Sequence, residues 1–321
     1  MAPAEISTVR PGEMTEIRKN SVLWPYLALV AGILCISWSA LFVRWTDMPG
    51  PASAFYRMLI PTVVMLPTWF FDRGPRVSFK TLLIIAVGGI FFALDLAFYN
   101  TSILKTSAAN ATLLGNNTPI FVGLFAWLIV RQKPVLSFWL GLLLALGGAG
   151  VIVSADLSRH VTLGSGDVMA VAAAACFAVY LMATERVRTT TSTTAFLRLA
   201  MISSTLFLLA INVALRVPLR IPPGRSIWSL LGLGLVSQLG GYLALTYALG
   251  HLPATVTSVT LLSQGPLTAV MAAILLSEPL STAQMVGGTL VLVGIFLANR
   301  KSRPAEEANA TLAEASEHES G

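Results

Sequence analysis

Ten stretches of the chain are apolar for about 20 residues each, the length that an α-helix needs to cross the hydrocarbon core of a bilayer. Backbone groups in hydrocarbon must find their hydrogen bonds within the protein, so stretches of this length fold as helices. The ten predicted spans are residues 23–43, 52–71, 80–100, 107–130, 137–154, 166–184, 195–215, 227–248, 254–276 and 282–299. The sequence therefore predicts an all-α membrane protein with ten transmembrane helices.

Composition agrees and leaves little chain for a soluble domain. Charged residues make up 11% of the chain, whereas soluble proteins carry about 25%. Outside the spans lie a polar N-terminal tail (1–22), short loops and an acidic C-terminal tail (300–321) that we expect to be disordered. Basic residues in cytoplasmic loops explain the net charge of +6, so we expect no nucleic-acid partner.

The distribution of lysine and arginine predicts the orientation of the chain. With the N-terminus inside, thirteen basic residues fall on the cytoplasmic side and six on the outer side. Cytoplasmic loops are the richer in basic residues. We therefore expect both termini in the cytoplasm, although the loop 216–225 places three arginines outside.

Matching strings indicate an internal repeat. Arg57 and Arg198 lie inside predicted spans, in AFYRML and AFLRLA, 141 residues apart. Later pairs keep an offset of 147 residues: Pro119 with Pro266, Asn117 with Gln264, Asn110 with Thr257, and Asp95 with Tyr242. The chain is thus predicted to hold two five-helix repeats, 23–154 and 166–299. Because five is odd, the second repeat is inverted in the membrane, an architecture of secondary transporters.

Three parts of the chain carry a family resemblance. They are AFYNTSILKTSAANATLLGNNTPIFVGLFAWLIV, its echo ALTYALGHLPATVTSVTLLSQGPLTAVMAAILLSEPLS, and SWSALFVRW followed by AFYRMLIP. They resemble the EamA-type transporters of the drug/metabolite transporter superfamily, over about residues 23–299. The resemblance implies a ten-helix carrier of small metabolites, including amino acids and related compounds, in a bacterial inner membrane, with export as the expected direction. The chain departs from the family at the end of the fourth span, which reads RQKP instead of the usual Gly-Glu.

Prolines near the middle of the fourth and ninth spans predict two polar kinks. Pro119 and Pro266 each remove a backbone donor, so we expect kinked helices with free carbonyl groups near positions 115 and 262. Related by the repeat, the two kinks would form the walls of one central site.

Carboxamides near these prolines are candidate substrate ligands. Asn110 and Asn117 share one helix face, two turns apart, and Thr257 and Gln264 repeat that pattern. Polar side chains at this depth must line water or pair with another helix. Hydrogen bonding between helices, with no substrate contact, is the alternative for Asn110, Asn117 and Gln264.

Aromatic residues deep in the spans are further candidates for the site, since a ring can stack on a substrate or contact a cation. They are Trp38, Tyr56, Tyr99, Tyr180 and Tyr242. Trp38 lies too deep for an interfacial belt, whereas Trp69, near a helix end, is typical of one. Simple packing is the alternative for these rings.

Charged residues inside the spans are candidates for gating or coupling, because they are costly in hydrocarbon. Arg57 and Asp95 lie at similar depth and are predicted to form an ion pair. Arg198 has Glu185 as its candidate partner. We expect the arginines to close opposite gates or attract an anionic substrate group, with snorkelling to lipid headgroups as the alternative. Asp95 is also the candidate carrier of a coupling proton, because a carboxylate withdrawn from water holds a proton more readily.

Glycine-rich segments at 141–150 and 287–294 predict that the fifth and tenth helices pack closely. Together these features predict a secondary active transporter with a central polar cavity, a small-molecule substrate and no metal or cofactor. A lipid or amphiphile flippase on the same scaffold is the alternative. The sequence predicts no enzyme, because H-E-x-x-H and G-x-S-x-G are absent, and no ATP-driven pump, because a P-loop motif is absent. It leaves the oligomeric state open.

Overall fold

The computed structural model describes residues 11–71, 77–105, 111, 114–131, 133–154, 164–267, 270 and 282–299. Within these ranges every regular element is helical, with no β-strand. A π-helical segment (Gly232–Gly240) and a 3-10 turn (Leu261–Ser263) interrupt the α-helices. The α-helices are α1 (Pro11–Ser37), α2 (Ser39–Trp45), α3 (Gly50–Met65), α4 (Thr68–Phe71), α5 (Phe79–Lys105), α6 (Thr118–Leu128), α7 (Leu136–Ser154), α8 (Ser165–Arg188), α9 (Thr193–Ala214), α10 (Arg225–Leu231), α11 (Gly241–Leu249), α12 (Ala254–Thr260) and α13 (Thr282–Asn299).

Six helical segments of the described chain are long and apolar enough to cross a membrane. They are Leu23–Trp45, Phe79–Lys105, Ser165–Arg188, Thr193–Ala214, Arg225–Leu249 and Thr282–Asn299. Shorter apolar helices follow at Thr118–Leu128 and Leu136–Ile152. The predicted all-helical chain with several membrane-spanning segments is confirmed.

The first helix begins earlier than the apolar pattern predicts. α1 starts at Pro11, so residues 11–22 of the predicted polar tail are helical. Proline suits the first turn of a helix, where its missing N–H costs no hydrogen bond. At Trp38 the helix is interrupted before it continues as α2. The Ser37 hydroxyl donates to the Ile33 carbonyl at 2.7 Å, a contact that bends helices.

Helices α3 and α9, which carry the two repeat-related arginines, pack in antiparallel orientation. The Asn212 amide donates to the Pro51 carbonyl at 3.0 Å, and the hydroxyl groups of Thr62 and Thr205 are 2.9 Å apart. Residue numbers therefore increase along α3 in the direction in which they decrease along α9.

Two further antiparallel contacts mirror each other. Helix α1 packs against the span Arg225–Leu249, where the Ser237 hydroxyl donates to the Cys35 carbonyl at 3.0 Å. Helix α5 packs against α8, where the ring of Phe92 lies 4.2 Å from that of Tyr180. In terms of the predicted repeats, the first helix of each repeat contacts the third helix of the other.

Helices α7 and α13 form a separate antiparallel pair held by glycines. A Cβ added to Gly148 would lie 2.6 Å from the Gly287 carbonyl oxygen, and one added to Gly294 would lie 2.6 Å from that of Gly141. Only glycine allows backbones to approach this closely. The predicted packing of the two glycine-rich segments is confirmed.

Candidate functional site

Arg57 is the centre of the polar interior. It is 2% exposed, on the middle of α3. Its Nε donates to the side-chain oxygen of Gln238 at 2.8 Å, and its Nη1 donates to the Ser39 hydroxyl at 2.7 Å. Gln238 lies in the π-helical segment and Ser39 directly follows the interruption at Trp38. Arg57 thus connects three segments at two irregular points of the backbone.

The predicted ion pair between Arg57 and Asp95 is not formed among the described residues. The nearest acceptors of the guanidinium are the two neutral oxygens of Gln238 and Ser39. Asp95 is near enough to interact electrostatically with Arg57, without a hydrogen bond or ion pair of its own in the described chain. The carboxylate therefore faces the interior without neutralising the arginine directly.

Two of the candidate tyrosines lie next to this cluster. Tyr99 and Tyr242 are both within electrostatic range of Arg57, and the guanidinium carbon lies 5.9 Å from the ring centroid of Tyr242. An added Cβ on Gly115 would lie 3.0 Å from the Tyr99 ring. Tyr99 therefore bridges the surroundings of Arg57 and the turn that precedes Pro119.

An aromatic wall extends from Tyr242. The ring of Phe92 lies 4.7 Å from Tyr242 and 4.2 Å from Tyr180. The Tyr180 hydroxyl lies near Thr184 and Thr246 without a hydrogen bond of ordinary geometry among the described residues. Tyr180 and Tyr242 are thus joined through Phe92, a residue that the sequence pattern did not mark.

Pro119 lies in the first turn of a helix and does not kink one among the described residues. Asn116 and Asn117 form a turn, and α6 begins at Thr118, with Pro119 in its first turn. The Thr118 hydroxyl donates to the Gly115 carbonyl at 3.1 Å, and the Asn117 carboxamide donates to the Leu114 carbonyl at 2.9 Å. The predicted free carbonyl near position 115 is therefore wrong, because neighbouring side chains satisfy it.

The backbone near Pro266, the repeat counterpart of Pro119, also departs from a regular α-helix. The chain forms a 3-10 turn over Leu261–Ser263, and the Gln264 N–H is directed at the carbonyls of Leu261 and Leu262. The predicted free carbonyl near 262 is therefore wrong as well. The Gln264 side chain is half-buried. Asn110, which the repeat pairs with Thr257, lies outside the described residues.

Arg198 has surroundings unlike those of Arg57. Its Nη1 donates to the Thr68 hydroxyl at 3.0 Å, and its guanidinium carbon lies 4.8 Å from the ring centroid of Trp69. Trp69 is exposed, as predicted for an interfacial residue. Glu185 lies instead against the backbone amide of Ala254. The suggested pairing of Arg198 with Glu185 is not formed among the described residues, because the two side chains meet different helices.

Two of the predicted aromatic residues, Tyr56 and Trp38, contact other parts of the protein than the tyrosines above. The Tyr56 hydroxyl donates to the Leu219 carbonyl at 2.7 Å, so it ties α3 to the loop after α9. Trp38 is half-buried and stacks on Phe42 at 6.0 Å. Trp38 directly precedes Ser39 and therefore lies beside the Arg57 cluster, whereas the Tyr56 hydroxyl is used in a structural contact.

Sequence reasoning missed Ser39 and Gln238, the two residues that hold Arg57. The repeat offsets pair Ser39 with Tyr180 and Gln238 with Phe91, so neither appeared as a polar landmark in both repeats. The usable signal was simpler. A carboxamide within a membrane span needs a partner, and Gln238 met that criterion as well as Asn117 did.

A protein-family model described as the EamA-like transporter family matches residues 23–154 and 164–300. The "Uncharacterized transporter YwfM" of Bacillus subtilis is 25% identical over 259 residues, covering 79% of this chain and 86% of that protein. The "Pseudopaline exporter CntI" of Pseudomonas aeruginosa is 26% identical over 264 residues, covering 80% and 88%. A "Probable terminal-alkyne amino-acid exporter" of Streptantibioticus cattleyicolor is 28% identical over 195 residues, covering 61% and 65%.

A solved crystal structure is similar in fold, with a TM-score of 0.70 over 85% of this chain and 96% of that one. At 19% sequence identity, this likeness concerns the fold alone.

Proposed function

Because the chain belongs to the EamA-like transporter family, we propose that it is a secondary active transporter that moves a small metabolite by alternating access around a central polar site. The observation that carries the proposal is Arg57, a buried charge held by Gln238 from the other predicted repeat. A charge and carboxamides inside a membrane protein are costly unless they pair or line a pathway. Here they join helices that belong to different predicted repeats.

The architecture we propose is ten transmembrane helices in two inverted five-helix repeats, 23–154 and 166–299, with both termini in the cytoplasm of a bacterial inner membrane. Two observations support the inversion. The helices that carry the repeat-related arginines pack in antiparallel orientation, and the first helix of each repeat contacts the third helix of the other. The same contacts are therefore present if the two repeats change places. Alternating access in inverted-repeat transporters relies on such an equivalence between the repeats.

We propose an amino acid or a related compound as the substrate, with export as the direction. Support comes from two relatives whose names describe exporters, one of an amino acid and one of pseudopaline. The aromatic wall of Phe92, Tyr180 and Tyr242 provides apolar surface for a side group. Arg57 and Asp95 provide opposite charges in the same interior.

We propose a proton as the coupling ion, carried by Asp95. This carboxylate lies inside a membrane-spanning helix, without a hydrogen bond or ion pair in the described chain. An ionised carboxylate is costly in such a place, and uptake of a proton removes the charge. Release and uptake of that proton on opposite sides would couple substrate movement to the proton gradient.

Counterflow in proteoliposomes tests the proposed function. Purified protein is reconstituted with an unlabelled excess inside, and a panel of labelled amino acids and other small metabolites is offered outside. We expect exchange of at least one compound, lost in Arg57→Ala and retained in Trp24→Leu, an exposed residue of α1. No exchange across the panel by folded protein, together with translocation of labelled phospholipid, would favour the flippase instead.

A further inference from the structure

The guanidinium of Arg57 keeps unused donors in the protein interior. An arginine side chain has five N–H donors. Nε is bonded to Gln238 and one N–H of Nη1 to Ser39. No other side chain or carbonyl of the described residues accepts from Arg57, so Nη2 and one N–H of Nη1 remain available.

Gln238 brings further donors to the same place. Arginine only donates, so the Gln238 oxygen must face Nε and the amide nitrogen must point elsewhere. This nitrogen has no acceptor among the described residues, although Gln238 is completely buried. Because oxygen and nitrogen belong to one small planar group, the free N–H₂ lies close to the guanidinium. Buried donors without an acceptor are costly, which favours a bound group that accepts from them.

Both groups that hold Arg57 are neutral, and their neutrality has a chemical consequence. A glutamate at position 238 would pair with the guanidinium and cancel its charge. Glutamine gives a similar hydrogen bond and leaves the positive charge in place. Asp95 is close enough to interact but forms no ion pair with Arg57 in the described chain. The cluster is therefore oriented, positively charged and supplied with spare donors.

We propose that Arg57 and Gln238 form an oxyanion subsite that takes a carboxylate group of the transported compound, with Ser39 as the residue that positions the guanidinium. The proposal rests on the proposed transport function, since it assigns one part of the central site. A carboxylate accepts two N–H donors side by side. Nη2 of Arg57 and the amide nitrogen of Gln238 supply such donors from two different helices.

Thermal unfolding of the purified full-length protein tests the subsite without any transport step. The probes are two pairs that differ only in the carboxylate, phenylacetate with phenylacetamide and leucine with leucinamide. A compound that binds the folded state raises its unfolding temperature by an amount that grows with the ratio of its concentration to its dissociation constant. We expect at least one carboxylate to stabilise wild type at a concentration about tenfold lower than its amide, as expected for a charge-assisted hydrogen bond.

Gln238→Glu is the decisive variant because it places a carboxylate of the protein against Arg57. We expect the preference for the carboxylate probe to fall from about tenfold to none. Gln238→Met keeps the length of the side chain and removes its amide donor but leaves the charge of Arg57, so we expect the preference to fall below that of wild type without disappearing. This variant carries the test if Gln238→Glu does not fold. Gln284→Glu on α13 is the matched control and should keep the wild-type preference, because α13 lies against α7 and not beside Arg57.

Two results would overturn the subsite: equal stabilisation by carboxylate and amide in wild type, or full carboxylate preference in the Gln238 variants. Either can occur while counterflow still shows exchange, which would leave the transport function standing. Conversely, carboxylate preference without counterflow of any compound would support the subsite and reject the transport function.

Discussion

Arg57 and Arg198 occupy matching positions in the predicted repeats, yet the protein uses them differently. Arg57 is held in the interior by Ser39 and Gln238. Arg198 bonds to Thr68 and lies over the exposed ring of Trp69. Both arginines are buried, at 2% and 7% exposure. Arg57 is held by polar groups of the interior, whereas Arg198 reaches towards an aromatic ring that is itself exposed, as a snorkelling side chain does.

The cause of this difference lies in the partners and not in the arginines. Arg57 bonds to Ser39 and Gln238. The repeat offsets give Tyr180 as the counterpart of Ser39 and Phe91 as the counterpart of Gln238. Phe91 has no hydrogen-bonding group, and the Tyr180 hydroxyl lies near Thr184 and Thr246. The two arginines therefore share helix packing but not hydrogen-bond partners, so of the two only Arg57 is expected to contact the substrate.

The largest effect should come from replacing each arginine by lysine. Arg57→Lys keeps the charge but loses the fork that bonds Gln238 and Ser39 together, so we expect counterflow to fall about 100-fold or more. Arg198→Lys should stay within about threefold of wild type, since lysine can also reach the helix end. Initial rates are compared at equal amounts of folded protein. Normal transport by Arg57→Lys would remove the distinction between the arginines.

The next largest effect should distinguish the carboxylates of Asp95 and Glu185 by their response to a pH gradient. Asp95→Asn should abolish the response of transport to an imposed pH gradient while exchange at equal pH continues, because the amide cannot carry a proton. Glu185→Gln should respond like wild type, since Glu185 lies against the backbone at Ala254. Substrate accumulation is measured in proteoliposomes with and without the gradient. A gradient response retained by Asp95→Asn would exclude Asp95 as the proton carrier.

A smaller effect is expected at Arg198, whose guanidinium lies over the Trp69 ring. Trp69→Leu removes the ring under Arg198, and the loss of a cation–π contact should lower the free energy of unfolding by about 0.5–1 kcal/mol more than Trp24→Leu does. Transport should not change. The measurement is thermal unfolding in detergent, and equal losses in the two variants would show that the contact contributes no stability.

The smallest effect should appear where the two arginine-bearing helices meet. The Thr62 hydroxyl donates to the Met58 carbonyl at 2.7 Å, so Thr205 is the donor in the contact between helices. A double-mutant cycle with Thr62→Val and Thr205→Val should give a coupling of about 0.6 kcal/mol, the average for hydrogen bonds between membrane helices. A coupling near zero would show that this contact does not hold α3 and α9 together.

Several residues of the candidate site were predictable because polar groups stand out in apolar spans. Arg57 and Asp95 were selected in this way, and Tyr99 and Tyr242 were selected as aromatic rings deep in the spans. The structure brings the four residues near one another. The predicted partners were less accurate. Depth along a helix suggested an ion pair with Asp95, but depth does not show which way a side chain turns.

The proline regions illustrate a second limit of pattern reasoning. A proline inside a span does free a backbone carbonyl, but a hydroxyl or carboxamide nearby can satisfy it. Thr118 and Asn117 do so before α6. Whether the carbonyl stays free depends on side-chain rotamers within one helical turn. The rule that proline kinks a helix does not include these rotamers.

The sequence by itself determined that this protein is helical, crosses the membrane several times and belongs with a family of transporters. Those properties follow from the length and apolarity of local segments and from strings that a family shares. Only the tertiary structure decided which groups hold Arg57, because Ser39 and Gln238 lie 18 and 181 residues away along the chain. Because both partners are neutral, the charge of Arg57 is not cancelled. Helix packing places these two distant residues against the arginine.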